Sequence, residues 1–217
     1  PVATEEPVAT EEPVATEEPV ATEAPAAGLT CAEPIKVGLI TDITGSLAIY
    51  GAMIQRSFML GMEYATGSEG TAGPVFSFAE TQESTFKIDN CEIQVFVRDD
   101  AGVPENTTTV ANELIDIQNV DILVGTASSG ATAVLQGIAL ANEIPLIVAP
   151  AAANDITGVN FNEFTFRTSR NNYQDAINEC KALTAKYTSF IQIAADYAFG
   201  RGSAAAFRDA CTLDGGT

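Results

Sequence analysis

The chain has 217 residues, of which 46% are hydrophobic, and its 10 basic and 29 acidic residues give a formal net charge of −19. It contains no histidine, which excludes catalysis by an imidazole base and metal binding through imidazole. The acidic balance disfavours nucleic-acid partners because phosphates would be repelled, and no run of about 18 apolar residues is available to cross a membrane.

Residues 1–24 are four copies of a six-residue unit, PVATEE three times followed by PVATEA. Residues 1–30 hold seven acidic and no basic residues. A six-residue period fits neither a helix nor a strand, and the units offer little apolar surface to offset the entropy lost on ordering. We therefore expect 1–30 to be a disordered acidic tether, which is either a simple spacer or a stalk that holds the next domain off a membrane surface.

Beyond residue 30, short apolar runs alternate with helical periodicities. The predicted strands are 35–41, 93–98, 121–125, 145–149, 163–167 and 190–194, and the predicted helices are 51–65, 104–117, 128–142, 172–186 and 202–213. Residues 66–90 are rich in Gly, Ser and Thr and are expected to form a long surface insertion with room for a small hairpin. The alternation predicts an α/β fold, a parallel sheet covered by helices on both faces.

Binding sites in such sheets lie beyond the carboxyl ends of the strands. This rule selects the loops 42–50, 99–104, 126–130 and 149–156. Ser128 and Ser129 add two hydroxyls to the free N–H groups at a helix N-terminus, which suits a carboxylate or another anion. Both serines are therefore candidate ligand-binding residues. For Ser128 the favoured role is to cap the helix, whereas for Ser129 it is contact with a ligand.

The other candidate side chains leave alternatives open. Tyr50 follows the first strand and is either an aromatic wall of a site or an ordinary rim residue. Asp99 and Asp100 can hold a metal or an ammonium group, but we favour a cap on the following helix, and Asp42 has the same ambiguity. No phosphate-binding loop and no nucleophile elbow occurs.

Six segments of the sequence are weak signals one by one, but their order and spacing together are specific. They are GLITDITGSLAIYGAMIQ, RDDAGVPENTTTVANELI, ILVGTASSGATAV, IPLIVAPAAAND, FTFRTS and IAADYAFGRGSAAAF. Together they resemble the periplasmic leucine/isoleucine/valine-binding proteins, the type I solute-binding proteins of ABC transporters. The resemblance implies two Rossmann-like lobes that close on a solute, with the first lobe at 31–168 and an incomplete second lobe at 169–217. We therefore interpret the sequence as an N-terminal fragment and expect it to bind solute weakly or not at all by itself.

The resemblance also implies roles for single positions. It places the aromatic wall on Tyr50, the serine that bonds a ligand carboxylate on Ser129, and a ligand-loop backbone position on Ala151.

Two positions depart from the family pattern. Ala153 stands where the family has a threonine, and Phe199 stands where the second lobe has a tyrosine, so two hydroxyl partners are missing. Asn154, next along the chain, can substitute for the first. The implied ligand is an amino acid of the branched-chain type, or else another amino acid, an amide or a small carboxylate.

The four cysteines favour an oxidising compartment. Cys31 and Cys91 precede the first two strands, whose starts lie at the same end of a parallel sheet, so a bridge between them is geometrically reasonable. Cys180 and Cys211 lie on helices either side of strand 190–194 and are a second candidate pair. The alternative is four free thiols in a cytosolic protein.

The function we predict is an extracytoplasmic solute-binding protein of an ABC importer, tethered to a membrane through 1–30. Its expected partners are a small solute and the membrane subunits of a permease, and we expect a monomer without cofactor, metal or nucleic acid. The main alternative is the ligand-binding ectodomain of a membrane sensor. An unrelated α/β enzyme would have only carboxylates, such as Asp42, Asp99 and Asp100, for acid–base chemistry.

Overall fold

The computed structural model describes residues 28–70 and 83–213. Most of the predicted tether, residues 1–27, and the middle of the predicted insertion, residues 71–82, lie outside the described residues. Within the described part, none of the helices combines the length and apolar character needed to span a bilayer.

Strands and helices alternate as the sequence predicts. The strands are β1 (Ile35–Thr41), β2 (Glu83–Ile88), β3 (Cys91–Asp99), β4 (Ile122–Val124), β5 (Leu146–Val148) and β6 (Thr165–Arg167). The α-helices are α1 (Ala48–Thr66), α2 (Pro104–Glu113), α3 (Ser129–Ala141), α4 (Asn172–Thr184) and α5 (Ala198–Leu213), with a π-helical turn at Leu114–Gln118 and a 3-10 turn at Asn154–Thr157. All five predicted helices and the first five predicted strands are confirmed, with shifted ends.

The strands form one sheet in the order β2-β3-β1-β4-β5-β6. Every neighbouring pair is parallel except β2 and β3, which form an antiparallel hairpin at one edge. Of this hairpin only β2 lies within the predicted insertion 66–90, and its partner β3 is the strand predicted at 93–98. The predicted α/β class is confirmed, and the carboxyl ends of five strands meet at the same edge of the sheet.

Helices cover both faces of the sheet because β1 alternates its side chains between two cores. Leu39 packs in a cluster with Met59 of α1 on one face, and Ile40 packs with Leu135 of α3 on the other. All four side chains are almost fully buried. Burial of each contributes about 1.5–3 kcal/mol relative to exposure, which fixes both helical layers against the central strand.

Helices α4 and α5 pack against each other around a third, smaller core. Its buried members are Ala176, Cys180, Ala206, Ala210 and Cys211. These residues are small, and with the partly buried Ile177, Phe190 and Phe207 packed against them they form a core with fewer members than the one on either face of the sheet.

Both predicted disulfides are confirmed. Cys31 bonds to Cys91 at the start of β3, with Cα atoms 4.8 Å apart. Cys180 of α4 bonds to Cys211 of α5, with Cα atoms 4.9 Å apart. No cysteine is left free, so the four-thiol alternative is wrong.

The predicted strand at 190–194 is wrong. This segment is irregular in the structure, and the side chains of Ile191 and Ile193 are 95% and 99% exposed. A strand needs a neighbour to take its backbone hydrogen bonds, and no described strand pairs with this one. Alternating apolar residues are therefore not sufficient to form a strand here.

Candidate ligand-binding site

A cavity of about 660 Å³ opens at the carboxyl edge of the sheet, beyond β4 and β5. Its walls come from the start of α1, the loop before α3, the residues after β5, the residues after β6, and the start of α5. Three of the four loops selected by the sheet rule contribute, namely 42–50, 126–130 and 149–156. The loop 99–104 does not contribute.

The carboxylates near loop 99–104 accept hydrogen bonds from backbone N–H groups and threonine hydroxyls of neighbouring loops and helices instead. Asp99 accepts hydrogen bonds from Ile43 N at 2.7 Å and Thr44 Oγ1 at 2.6 Å. Burial raises the pKa of Asp99, but the hydrogen bonds outweigh this effect, so its pKa lies below the usual range. Asp42 is buried and accepts from Leu47 N at 2.8 Å, just before α1. No group of three or more potential metal ligands occurs in the described ranges.

Asp100 supports the loop before α2. One carboxylate oxygen accepts from Gly102 N at 2.9 Å and the other from Thr107 Oγ1 at 3.1 Å. The cap position of α2 is Val103, which makes no side-chain capping bond, so a direct helix cap by Asp99 or Asp100 is wrong. Burial raises the pKa of Asp100 despite these two hydrogen bonds.

Close packing at the start of α1 positions one wall of the cavity. A Cβ on Gly51 would overlap the carbonyl oxygen of Asp42, so only glycine lets the first turn of α1 approach the end of β1 this closely. Tyr50, the preceding residue, is 52% exposed and lines the cavity. The predicted position of Tyr50 at the mouth therefore follows from this contact.

Two aromatic residues near the start of α5 line the same cavity as Tyr50. The rings of Tyr197 and Phe199 have centroids 5.9 Å apart. Burial raises the pKa of the Tyr197 phenol, and the nearby Tyr50 phenol raises it further. The cavity is thus bounded by aromatic groups from the sheet layer and from the α4–α5 pair.

The two serines before α3 have different environments. Ser128 is the N-cap of α3, with its side chain accepting from Ala131 N at 3.5 Å, which confirms its expected capping role. Ser128 does not line the cavity, whereas Ser129 does. Ser129 Oγ accepts from Ala153 N at 3.3 Å, so its own hydrogen remains to be donated toward the cavity.

Three of the remaining candidate residues lie in the loop after β5, and only one of them lines the cavity. Ala151 lines the cavity, but Ala153 and Asn154 do not. The carbonyl of Ala153 accepts from Arg167 Nη1 at 2.7 Å. Asn154 Oδ1 accepts from Tyr173 N at 3.0 Å, so this side chain is engaged by α4 and does not replace a ligand-binding threonine. The seven predicted ligand-binding residues thus divide into four on the wall, Tyr50, Ser129, Ala151 and Phe199, and three outside it, Ser128, Ala153 and Asn154.

Sequence reasoning missed the contribution of residues 168–170. Thr168, Ser169 and Arg170 follow β6 and line the cavity. Arg170 Nε lies 3.3 Å from Asp175 Oδ2, and its Nη1 donates to Pro150 O at 3.4 Å. The sheet rule, applied to the carboxyl end of the fifth predicted strand as well, selects this segment.

A helix-covered parallel sheet with a solute-sized cavity at its carboxyl edge is an arrangement in which small molecules bind. A profile of the family described as periplasmic binding protein matches residues 34–217. The chain belongs to this family, whose members bind transported solutes and are not enzymes. The family implies an extracytoplasmic location, and the two disulfides agree with it.

Solved structures of transport proteins share the fold. An ABC-type branched-chain amino acid transporter from Rhodopseudomonas palustris CGA009 is 34% identical, with a TM-score of 0.63 over 84% of this chain and 45% of that chain. A solute-binding protein from R. palustris in complex with benzoate is 26% identical, with a TM-score of 0.71 over 85% of this chain and 46% of that chain.

A third solved structure, a solute-binding protein from R. palustris BisB5 in complex with 3,4-dihydroxybenzoic acid, is 25% identical, with a TM-score of 0.67 over 84% of this chain and 45% of that chain. The chain therefore spans about half the length of the solved structures that it matches. A comparison with curated proteins found no match.

Proposed function

We propose that this chain is the solute-binding component of an ABC importer and acts outside the cytoplasm. The observation that carries the proposal is the cavity at the carboxyl edge of the sheet, with walls from the sheet layer and from α5. Family membership and the transport neighbours support it. These neighbours do not favour the sensor alternative.

The proposed mechanism is closure of two lobes around the solute, the first at 31–168 and the second beginning at 169–217. Asn172 connects the two sides: its backbone N–H donates to Ala152 O at 2.8 Å, and its Nδ2 donates to Phe199 O at 3.2 Å. A solute that contacts both walls binds the closed arrangement more tightly and so increases its population. The membrane subunits of a permease would recognise that arrangement in a monomeric receptor.

The proposed ligand is a small solute with an apolar body and a carboxylate, either an amino acid of the branched-chain type or a related acid. Tyr50 and Phe199 supply aromatic surface, and Ser129 can donate to a carboxylate oxygen. The repeat-rich segment 1–30 would tether the receptor to the membrane.

A thermal-melt panel tests the proposal. The chain would be melted with each of the twenty amino acids, with amides, polyamines and small acids including benzoate, at concentrations up to the millimolar range. A solute at a hundred times its dissociation constant stabilises the folded state by about 2.7 kcal/mol. Because the second lobe is incomplete, we expect weak binding, so that at least one solute raises the melting temperature only near the millimolar end of this range.

A matched pair of variants on α1 locates the binding. Tyr50→Ala should remove the thermal shift, because Tyr50 lines the cavity. Tyr64→Ala should retain it, because Tyr64 is 87% exposed and does not line the cavity. No shift with any solute, or equal loss of the shift in both variants, would contradict the proposal.

A further inference from the structure

Two tyrosines line the cavity from different walls. Tyr50 lies in the first turn of α1, and Tyr197 immediately precedes α5. Burial has the larger effect in raising the pKa of the Tyr197 phenol, and the Tyr50 phenol contributes to the same rise. One phenol can influence the ionisation of another only when the two lie within electrostatic reach. The pair therefore lies across one opening, with one phenol on the sheet layer and the other on the α4–α5 pair.

The backbone around Tyr197 is held on both sides. A Cβ on Gly200 would overlap the carbonyl oxygen of Ala195, and the same carbonyl accepts from Tyr197 N at 3.0 Å. Asn172 Nδ2 donates to Phe199 O at 3.2 Å, which ties the first turn of α5 to the start of α4. The Tyr197 ring also lies against the Phe199 ring. The position of Tyr197 on the wall is thus fixed by local packing.

The backbone of Tyr50 is anchored to the end of β1. Its N–H donates to Leu47 O at 2.8 Å, and Leu47 N donates in turn to the carboxylate of Asp42. Asp42 is fully buried, so this chain of hydrogen bonds leads from the core to the cavity. The Tyr50 side chain is half exposed and can therefore rotate toward a partner on the other wall.

The chemistry of a phenol suits contact with a second phenol. Each hydroxyl is both a donor and an acceptor, so two phenols can satisfy one another without a charged group. Tyr50 and Tyr197 influence each other through charge and are not hydrogen-bonded to one another in the present arrangement. When the walls approach and water leaves the opening, a hydroxyl without a partner is unfavourable. A bond between the two phenols meets this need for both.

We propose that Tyr50 and Tyr197 form a clasp over the cavity, with their phenol oxygens joined by a hydrogen bond when the two walls close on a solute. This inference rests on the proposed function, since closure on a solute brings the walls together. It gives Tyr197 a role in retaining the solute that depends on whether the solute fits beneath the clasp and not on its polar group.

The first test measures the approach of the two phenols in the 217-residue chain. Photo-oxidation with a ruthenium complex and persulfate links tyrosine rings that come into contact, and mass spectrometry of the monomeric fraction identifies the linked peptides. We expect a link between Tyr50 and Tyr197. Tyr64→Phe, which alters an exposed tyrosine of α1 outside the walls, should keep this link. Absence of the link in the unmodified chain would overturn the inference.

A double-mutant cycle tests the role in binding. Ligand-observed NMR measures the dissociation constants of L-leucine and benzoate, which differ in charge and in polar groups, for the unmodified chain, Tyr50→Phe, Tyr197→Phe and the double variant. Phenylalanine keeps the ring and removes only the hydroxyl. For one shared hydrogen bond we expect each single variant to bind about threefold more weakly, and the double variant no more weakly than either single variant. The loss should be equal for both solutes.

The alternative is that each phenol binds the solute itself. The two losses would then multiply to about ninefold in the double variant, or they would differ between leucine and benzoate. Either result would overturn the clasp. The Tyr64→Phe variant should bind both solutes as the unmodified chain does, because Tyr64 does not line the cavity.

The outcomes separate this inference from the proposed function. An absent link or multiplied losses would overturn the clasp and leave solute binding intact, as long as the thermal panel shows a shift. If neither leucine nor benzoate binds, the cycle is measured with the solute that gives the largest thermal shift. If no solute gives a shift, the proposed function fails, and the clasp fails with it even where the phenols are linked.

Discussion

The disulfide between α4 and α5 should decide whether these helices stay folded. It closes a loop with a sequence separation of 31 residues, and a chain-entropy model gives about 3.7 kcal/mol for such a loop. The buried members of the core around this bond are three alanines and the two cysteines, and Ile177, Phe190 and Phe207 pack against them while partly buried. Removal of the bond increases the conformational entropy of the unfolded segment and also replaces two apolar members of a small core. We therefore expect Cys180→Ser/Cys211→Ser to unfold α4 and α5 locally.

The other disulfide provides the matched control. Cys31–Cys91 spans a sequence separation of 60 residues, worth about 4.3 kcal/mol in the same model, so it is the larger of the two by entropy alone. However, β1 is held to β3 by a parallel ladder along its whole length and by buried side chains on both faces. Cys31→Ser/Cys91→Ser should therefore lower the free energy of global unfolding without local melting of the sheet.

Hydrogen exchange read by mass spectrometry distinguishes the two effects. In Cys180→Ser/Cys211→Ser, amides of α4 and α5 should lose protection while those of β1 keep it. Solute binding should weaken in parallel because Tyr197 and Phe199 line the cavity near the start of α5. Full protection of α4 and α5 in this variant would refute the reasoning, since the small core would then suffice without the bond.

Three further predictions concern backbone contact, pH dependence and the serine pair. Gly51→Ala should destabilise the protein by about 1–3 kcal/mol or more in urea unfolding because its Cβ would overlap Asp42, whereas Gly61→Ala, with open space around it, should stabilise by about 0.5–1 kcal/mol; equal effects would contradict the packing argument. Asp100 has a raised pKa because of burial, so the folded state binds more protons than the unfolded state between the two pKa values, and stability falls as pH rises through this window. Asp100→Asn should therefore raise the free energy of unfolding at pH 7. When unfolding is measured from pH 3 to 8, the variant should not show the fall in stability that Asp100 causes. A lower stability of the variant at pH 7 would show that the charge is favourable there. Ser129→Ala should weaken solute binding about tenfold, as for the loss of one hydrogen bond to a charged group. Ser128→Ala should instead lower the free energy of unfolding by about 0.5–1 kcal/mol, because it removes the cap on α3. Calorimetry of binding and urea unfolding on both variants would contradict this assignment if the two effects were exchanged.

Much of the fold could be predicted from local patterns. The apolar runs at β1 and β3 are buried by neighbours on both sides, and the position of Cys31 and Cys91 before these strands indicated their bridge. Cys180 and Cys211 were a candidate pair because they lie on successive helices, which form the bridge although the strand predicted between them is absent. The strand prediction at 190–194 is wrong because the alternation of apolar residues is a property of the segment alone, whereas a strand also requires a neighbouring strand to pair with.

The candidate site was less predictable because one step along a loop changes what a residue contacts. Ala151 lines the cavity, but Ala153 holds Ser129 and Arg167 through its backbone, and Asn154 binds the first turn of α4. Sequence spacing does not contain these contacts. Arg170 is a different case, since it comes three residues after the short strand β6, and the rule for parallel sheets selects its segment once that strand is included.

The bond between Cys31 and Cys91 determines how the domain bears mechanical load. Residues 28–31 join the sheet at the amino end of β1, and the cavity opens at the carboxyl edge. The seven residues of β1 separate the two by about 23 Å at ~3.3 Å per residue. A pulling force applied through the N-terminus therefore passes through the disulfide into β3 and the ladder that joins it to β1. The cavity loops lie at the opposite end of β1 and stay unloaded.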